Sequence, residues 1–294
     1  MIEIITYGIT GAVLAAASYT DLRTREVPDW LNYSAAALGI AAAAVYSVLS
    51  HSIWPLLYSA AGLLIFFGIG CIMFYAGQWG GGDSKLLIAL GSLLGLQFGL
   101  AFPFIRLEQP LVSFWINLLF VGVAYAMLWS IIIAVRNRQR FAKQFLAQAA
   151  ELKMLRTTII LLPLATIIVF LAVRDYALRT AAIGTGLILL FGFYIWMFAK
   201  AVEKSSMLKY VEPEKLTEGD WIARDVLVGK RRICGPKDLG IEKRQIAELI
   251  RLRQQGRVKK VLVKEGIPFV PAFLLAFLVT VKFGSVMQAL VSAL

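Results

Sequence analysis

Eight long apolar runs constrain this chain more than any other feature. They lie at about 4–20, 32–49, 54–75, 84–103, 111–135, 157–173, 181–201 and 267–289. About 20 apolar residues in a helix match the ~30 Å hydrocarbon layer of a bilayer, and the run at 157–173 is at the short end of that range. Lipid satisfies no amide or carbonyl, so each run is expected to close its hydrogen bonds internally, as a helix. Alternation of apolar and polar residues over ten-residue segments is absent, which argues against a β-barrel. Composition agrees: 59% of the 294 residues are apolar and 16% charged, against about 25% charged in a soluble domain. So little polar surface cannot cover a water-facing core. The first run lacks a basic flank and a small-residue cleavage site, so it is expected to be a retained span. The expected fold class is an all-α polytopic membrane protein of about eight transmembrane helices, with a small α+β cytoplasmic subdomain before the last helix.

Charge is concentrated in two polar stretches. Residues 136–156 hold six Lys/Arg and one acid, a net of +5, and residues 200–264 hold seventeen and nine, a net of +8. The chain as a whole carries +12, so everything else is nearly neutral. Positive charge is retained on the cytoplasmic side during insertion. Both stretches are therefore expected inside, together with the loops 21–31 and 76–83, and both termini outside. Arg23 and Arg25 fit that placement, and Arg106 and Arg174 are sparse on the other side. The expected organisation is a membrane domain over 1–203, a basic subdomain over 204–264 and a last membrane helix within 265–294. Within the subdomain the pattern predicts a strand over 220–228, a turn at Gly235-Pro236, a helix over 241–255 closed by Gly256, and a strand over 258–264. Basic residues on such a cap favour anionic lipid headgroups. Nucleic acid is not expected as a partner, because insertion topology already accounts for the charge.

Metal chemistry is not expected. His51 is the only histidine, Cys71 and Cys234 are the only cysteines, and no Cys-x-x-Cys occurs. No cofactor is implied. The residues suited to chemistry are two acids. Asp21 follows the first apolar run directly, and Asp83 ends the loop after the third, within Gly80-Gly81-Gly82-Asp83-Ser84-Lys85. Acids adjoining membrane helices are costly when ionised and point to function. Both fall at one membrane face in the expected topology. Three glycines before Asp83 allow positive φ and close approach of another chain, so an extended substrate can pair with bared backbone there. Two carboxyls brought together cannot easily both ionise: one keeps a proton for a carbonyl oxygen, and the other activates water. Such a pair titrates as a unit, so the acid and the base are not assignable from sequence. Whether the two touch at rest is also left open.

The stretch Gly80-Gly81-Gly82-Asp83-x-Lys85-Leu86, followed by Ala89 and Gly91, resembles the GxGD signature of type IV prepilin and preflagellin peptidases. Upstream, Asp21-x-Arg23-x-x-x-Val27-Pro28-Asp29 is similar to that family's first aspartate motif, with Val27 and Asp29 at its usual Ile and Asn positions. Ile267-Pro268-Phe269-Val270-Pro271 is similar to the Pro-Phe-x-Pro motif that opens its last helix. The three occur in the family's order. The resemblance implies a membrane aspartic endopeptidase with Asp21 and Asp83 as the catalytic pair. It would remove short basic leader peptides from prepilin- or preflagellin (archaellin)-like precursors at the cytoplasmic face. No cysteine-rich loop of the bacterial methylating members is present, so N-methyltransferase activity is not expected. The basic segment before the last helix resembles the archaeal branch.

The remaining candidates carry alternatives. Gly80, Gly81 and Gly82 support the loop or bind substrate. Lys85 snorkels to headgroups, holds the loop or tunes an aspartate. Glu26 and Asp29 pair with a basic leader or are solvated, and Asp29 can instead cap a helix. Trp79 reads as an interfacial anchor, and Pro268 and Pro271 mark a helix start and kink. A presenilin-like protease cutting within the membrane is a rival, but those carry a Tyr-Asp pair where Asp21 follows Thr20. A proton-coupled transporter is another, but repeats and midplane acids are lacking. An inactive assembly scaffold leaves both aspartates unexplained. Oligomeric state is not legible.

Overall fold

The structure, a computed structural model, describes residues 2–98, 108–229 and 231–293. Arg106 and the last residues of the fourth apolar run lie outside them. The chain forms α1 (Ile2–Thr24), α2 (Asp29–Leu49), α3 (Trp54–Tyr75), α4 (Gly81–Leu94), α5 (Pro110–Arg136), α6 (Arg138–Glu151), α7 (Lys153–Ala172), α8 (Tyr176–Val202), α9 (Lys243–Gln254), α10 (Val270–Phe283) and α11 (Val286–Ala293). All eight apolar runs contain helix. Among the described residues, five helices are long and apolar enough to cross a bilayer: α2, α3, α5, α7, and α8 with its extension to Met207. The count of eight is therefore not reached on that ground. Polar residues such as Thr6, Thr10 and Ser18 interrupt α1, while α4 and α10 have 14 residues each. This is a multi-pass membrane protein, mostly helical.

The short helices are the buried ones. Ser84, Leu86, Leu87 and Ala89–Leu93 of α4 are buried between α2 and α3. Close packing of α3 on α4 depends on Gly62 and Gly91: a Cβ on Gly62 would lie 2.2 Å from the Gly91 carbonyl oxygen, and one on Gly91 2.4 Å from that of Gly62. Helix α10 lies between α1 and α5, with Val270, Ala272, Phe273 and Ala276 buried. One apolar core, including Leu14, Ala17, Phe66, Leu87, Phe114 and Phe273, joins these six helices. In contrast, α7 has no buried residue and packs on α8. The basic stretch 136–156 holds α6, which packs on α8 through Phe145, Ala149, Phe193 and Met197.

After α8 a wide helical turn (Glu203–Met207) leads to five short strands: β1 (Leu208–Val211), β2 (Trp221–Ile222), β3 (Val226–Val228), β4 (Arg231–Cys234) and β5 (Val261–Lys264). β1 and β2 flank β5, antiparallel, and β3 pairs with β4. Their apolar faces and α9 enclose a separate small core of Ile222, Ile233, Cys234, Ile241, Leu249, Val261 and Val263. The single strand expected over 220–228 is two. The chain turns away after Ile222, where the Ala223 amide bonds the Leu262 carbonyl and Asp225 pairs with Arg232 at 2.7 Å. The expected helix is α9, opened by a Glu242/Gln245 capping box and closed at Gly256 with φ +73°.

Candidate active site

Asp21 occupies the last turn of α1 and is buried. The helix ends three residues on, at Thr24; just beyond it the Arg25 amide bonds the Asp21 carbonyl and Arg25 takes φ +60°. Burial of a carboxylate is tolerated only with donors, and Asp21 finds one across 249 residues of sequence. The Val270 amide, at the first turn of α10, donates to Asp21 Oδ2 at 2.9 Å. That amide is one of the donors a helix start leaves unpaired, and the positive end of the helix favours the anion. A charge-assisted bond of this kind contributes about 1.5–3 kcal/mol.

Phe269 aligns that helix start. Its ring seats against Gly122 of α5, where a Cβ would lie 2.8 Å from Cζ. Trp79, Phe273 and Tyr125 surround it at centroid distances of 5.9, 5.9 and 6.5 Å. Trp79 is therefore not an interfacial anchor. It is buried among Trp115, Phe269 and Phe273 and belongs to the wall behind the site. Pro271 falls in the first turn of α10, where a proline needs no amide.

Gly80 precedes α4 in an extended conformation, and Gly81, Gly82 and Asp83 form its first turn. The glycine run is thus not a bared extended edge: none of the three has positive φ, because the helix has already begun. What Gly82 permits is contact with the first loop, since a Cβ there would lie 3.3 Å from the Val27 amide nitrogen. Asn32 donates to the Gly82 carbonyl at 3.4 Å. The Gly80 amide, just before α4, lowers the Asp83 carboxyl.

The Asp21 charge acts on the Asp83 carboxyl. Both lie outside the five long spans. Burial, and then the Asp21 charge, push the Asp83 carboxyl up to about 7, against the Gly80 amide. Burial also raises Asp21, opposed by the Val270 amide, the Arg25 cation and the Phe269 backbone. Asp21 thus has backbone donors and a nearby cation that favour its charged form, whereas the groups acting on Asp83 besides Gly80 favour its neutral form.

The other candidates are placed around this pair. Lys85 bonds Asp29 at 2.6 Å and lies over the Tyr33 ring. It therefore ties α4 to α2, and Asp29, which stays exposed, does not cap α2 through its side chain. Glu26 is exposed. Arg25, which sequence reasoning used only for topology, donates to the Gly266 carbonyl and pairs with Glu265 at 3.7 Å. Val270 was also missed, and the Pro-Phe-x-Pro motif was its signal.

Residues 8–135, which contain both aspartates, match the type IV leader peptidase family. The chain is 31% identical over 139 residues to a preflagellin peptidase of Methanococcus voltae, covering 45% of this chain and 58% of that protein. It is 37% identical over 87 residues to a preflagellin peptidase of Methanocaldococcus jannaschii, covering 29% and 37%. A prepilin peptidase EppA of Methanothermobacter thermautotrophicus is 25% identical over 169 residues, covering 55% and 43%. The chain thus spans at most 58% of the length of these curated relatives. No solved structure matches it. The likeness to the type IV leader peptidase family that the motifs carry is therefore shown over residues 8–135, with archaeal relatives; the third motif, at 267–271, lies beyond the matched stretch.

If the carboxyls interact as described, Asp21→Asn removes the charge second in raising Asp83. The Asp83 titration, followed by the protonated-carboxyl infrared band, should then move down from about 7 while burial keeps it above the ordinary 3.8. An unmoved band would show that the two groups do not sense each other.

Proposed function

We propose that this protein is a membrane aspartic endopeptidase that removes short basic leaders from prepilin- or preflagellin-like precursors, without methylating the new N-terminus. The observation that carries the reading is the approach of two acids from separate elements, buried Asp21 at the end of α1 and half-buried Asp83 in the first turn of α4, close enough that the Asp21 charge acts on Asp83. It is supported by the family match over both and by the preflagellin peptidases among the relatives.

The chemistry follows from the proton count. Ionised Asp21 takes a proton from a water as its oxygen bonds the scissile carbonyl carbon. Asp83 gives its proton to the carbonyl oxygen. The tetrahedral intermediate then breaks its C–N bond: Asp21 returns a proton to the leaving amine, and Asp83 recovers one from the new carboxyl. Lys85–Asp29, Asn32 and the Gly82–Val27 contact hold the two loops in register. Asp21→Asn and Asp83→Asn should each abolish leader removal by the purified protein while leaving folding intact. In the wild type, processing should fall as pH rises through about 7, where the shared proton is lost. Processing by either variant would falsify the pair.

Glu26 lies beside Val27 in the first loop and, with Asp29 engaged by Lys85, is the acid available to a basic leader. Glu26→Gln should raise KM for a precursor peptide more than it lowers kcat, and an unchanged KM would leave Glu26 a solvated loop residue.

The membrane orientation puts the loops 21–31 and 76–83, α6 and the 204–264 subdomain in the cytoplasm, with both termini outside. It completes eight crossings by adding the runs 4–20, 84–103 and 267–289, and turns the basic subdomain towards anionic headgroups. Charge distribution supports it. A thiol introduced at exposed Lys259 should resist an impermeant maleimide in intact cells and react after lysis. Labelling in intact cells would reverse the orientation.

A further inference from the structure

Buried polar atoms in folded proteins are almost always paired, and an exception beside a site of chemistry calls for an explanation. Among the described residues six buried side-chain polar atoms lack a partner. Four sit on the elements around the two aspartates: Ser18 Oγ, Asn32 Oδ1, Ser84 Oγ and Tyr125 Oη. The serines lie within helices, where a small rotation reaches a backbone carbonyl one turn back. The Asn32 amide is already committed to Gly82.

Tyr125 has no such recourse. Its ring is held between Trp129, at 5.8 Å, and the edge of Phe269, at 6.5 Å. That second contact is to the residue directly before Val270, whose amide holds Asp21. A buried hydroxyl without a partner thus sits one ring contact away from the helix start that holds the Asp21 carboxylate.

Resting on the peptidase reading above, we propose that Tyr125 is a third catalytic residue. Its hydroxyl donates a hydrogen bond to the scissile carbonyl oxygen as that oxygen gains charge in the tetrahedral state. Asp83 still supplies the transferred proton, and the tyrosine keeps its own throughout, so the balance of the reaction is unchanged. A donor aimed at developing charge in a water-poor site acts chiefly on kcat.

Tyr125→Phe keeps the ring and its contacts and removes only the hydroxyl. In the purified full chain it should lower kcat about 10²-fold and leave KM for a precursor peptide within about twofold. It should weaken binding of a precursor peptide carrying a hydroxyethylene group at the scissile bond by a similar factor, a change that a merely structural hydroxyl would not produce. Should that variant not fold, 3,5-difluorotyrosine at position 125 replaces it: its more acidic phenol adds a new downward limb to kcat at alkaline pH, and the lack of that limb overturns the proposal. Wild-type kcat in Tyr125→Phe, or unaltered binding of the hydroxyethylene peptide, overturns it too. If Asp83→Asn is inactive while Tyr125→Phe matches wild type, this inference fails alone. If Asp83→Asn still processes precursor, the peptidase reading fails first.

Discussion

The hydrogen bond from the Val270 amide to Asp21 holds the site together. It joins the end of the first helix to the start of α10, near the two ends of the chain. A carboxylate buried in this core would be untenable without a donor, and a helix start buried without an acceptor would be equally so. Each defect corrects the other. Because the partners lie so far apart in sequence, the bond forms only once the intervening helices have assembled. The Asp21 carboxylate is therefore stabilised only in the folded bundle.

The aromatic wall gives this bond its direction. Phe269 seated on Gly122, with Trp79 and Phe273 against it, sets the angle at which α10 begins. Asp83 is placed by a different device, the opening turn of α4, whose glycine surface rests on Val27. The first loop thus lies between the two aspartates' supports, and the Lys85–Asp29 pair adds a tether at the exposed rim. That pair contributes about 0–1 kcal/mol, so its use is in registering α4 against α2 more than in stability.

The small subdomain also reaches the site. Arg25 of the first loop is bound to Gly266 and Glu265, and Glu265 in turn pairs with Lys209 of β1. Trp221 of β2 lies against Gly77, which turns at φ +66° in the second loop, with its ring 3.3 Å from where a Cβ would be. Both loops that carry the candidate residues are therefore braced from the same side by a unit with a core of its own. These contacts account for how that unit meets the loops.

Much of this was legible in the residues alone. Apolar run length dictates helices, because lipid leaves a backbone no other way to satisfy itself, and all eight runs contain them. The two acids beside apolar helices, and the Pro-Phe-x-Pro segment, likewise stood out locally. Tertiary structure decided what depends on partners remote in sequence. It turned the glycine run from an open edge into the first turn of a helix, moved Trp79 from an interface into the core and engaged Asp29 with Lys85. It also gave the Pro-Phe-x-Pro segment a use that helix-start rules do not contain, as the donor to Asp21. Local pattern reports what a residue can do, whereas which groups are buried together, and hence which carboxyl keeps its proton, is set only when distant helices meet.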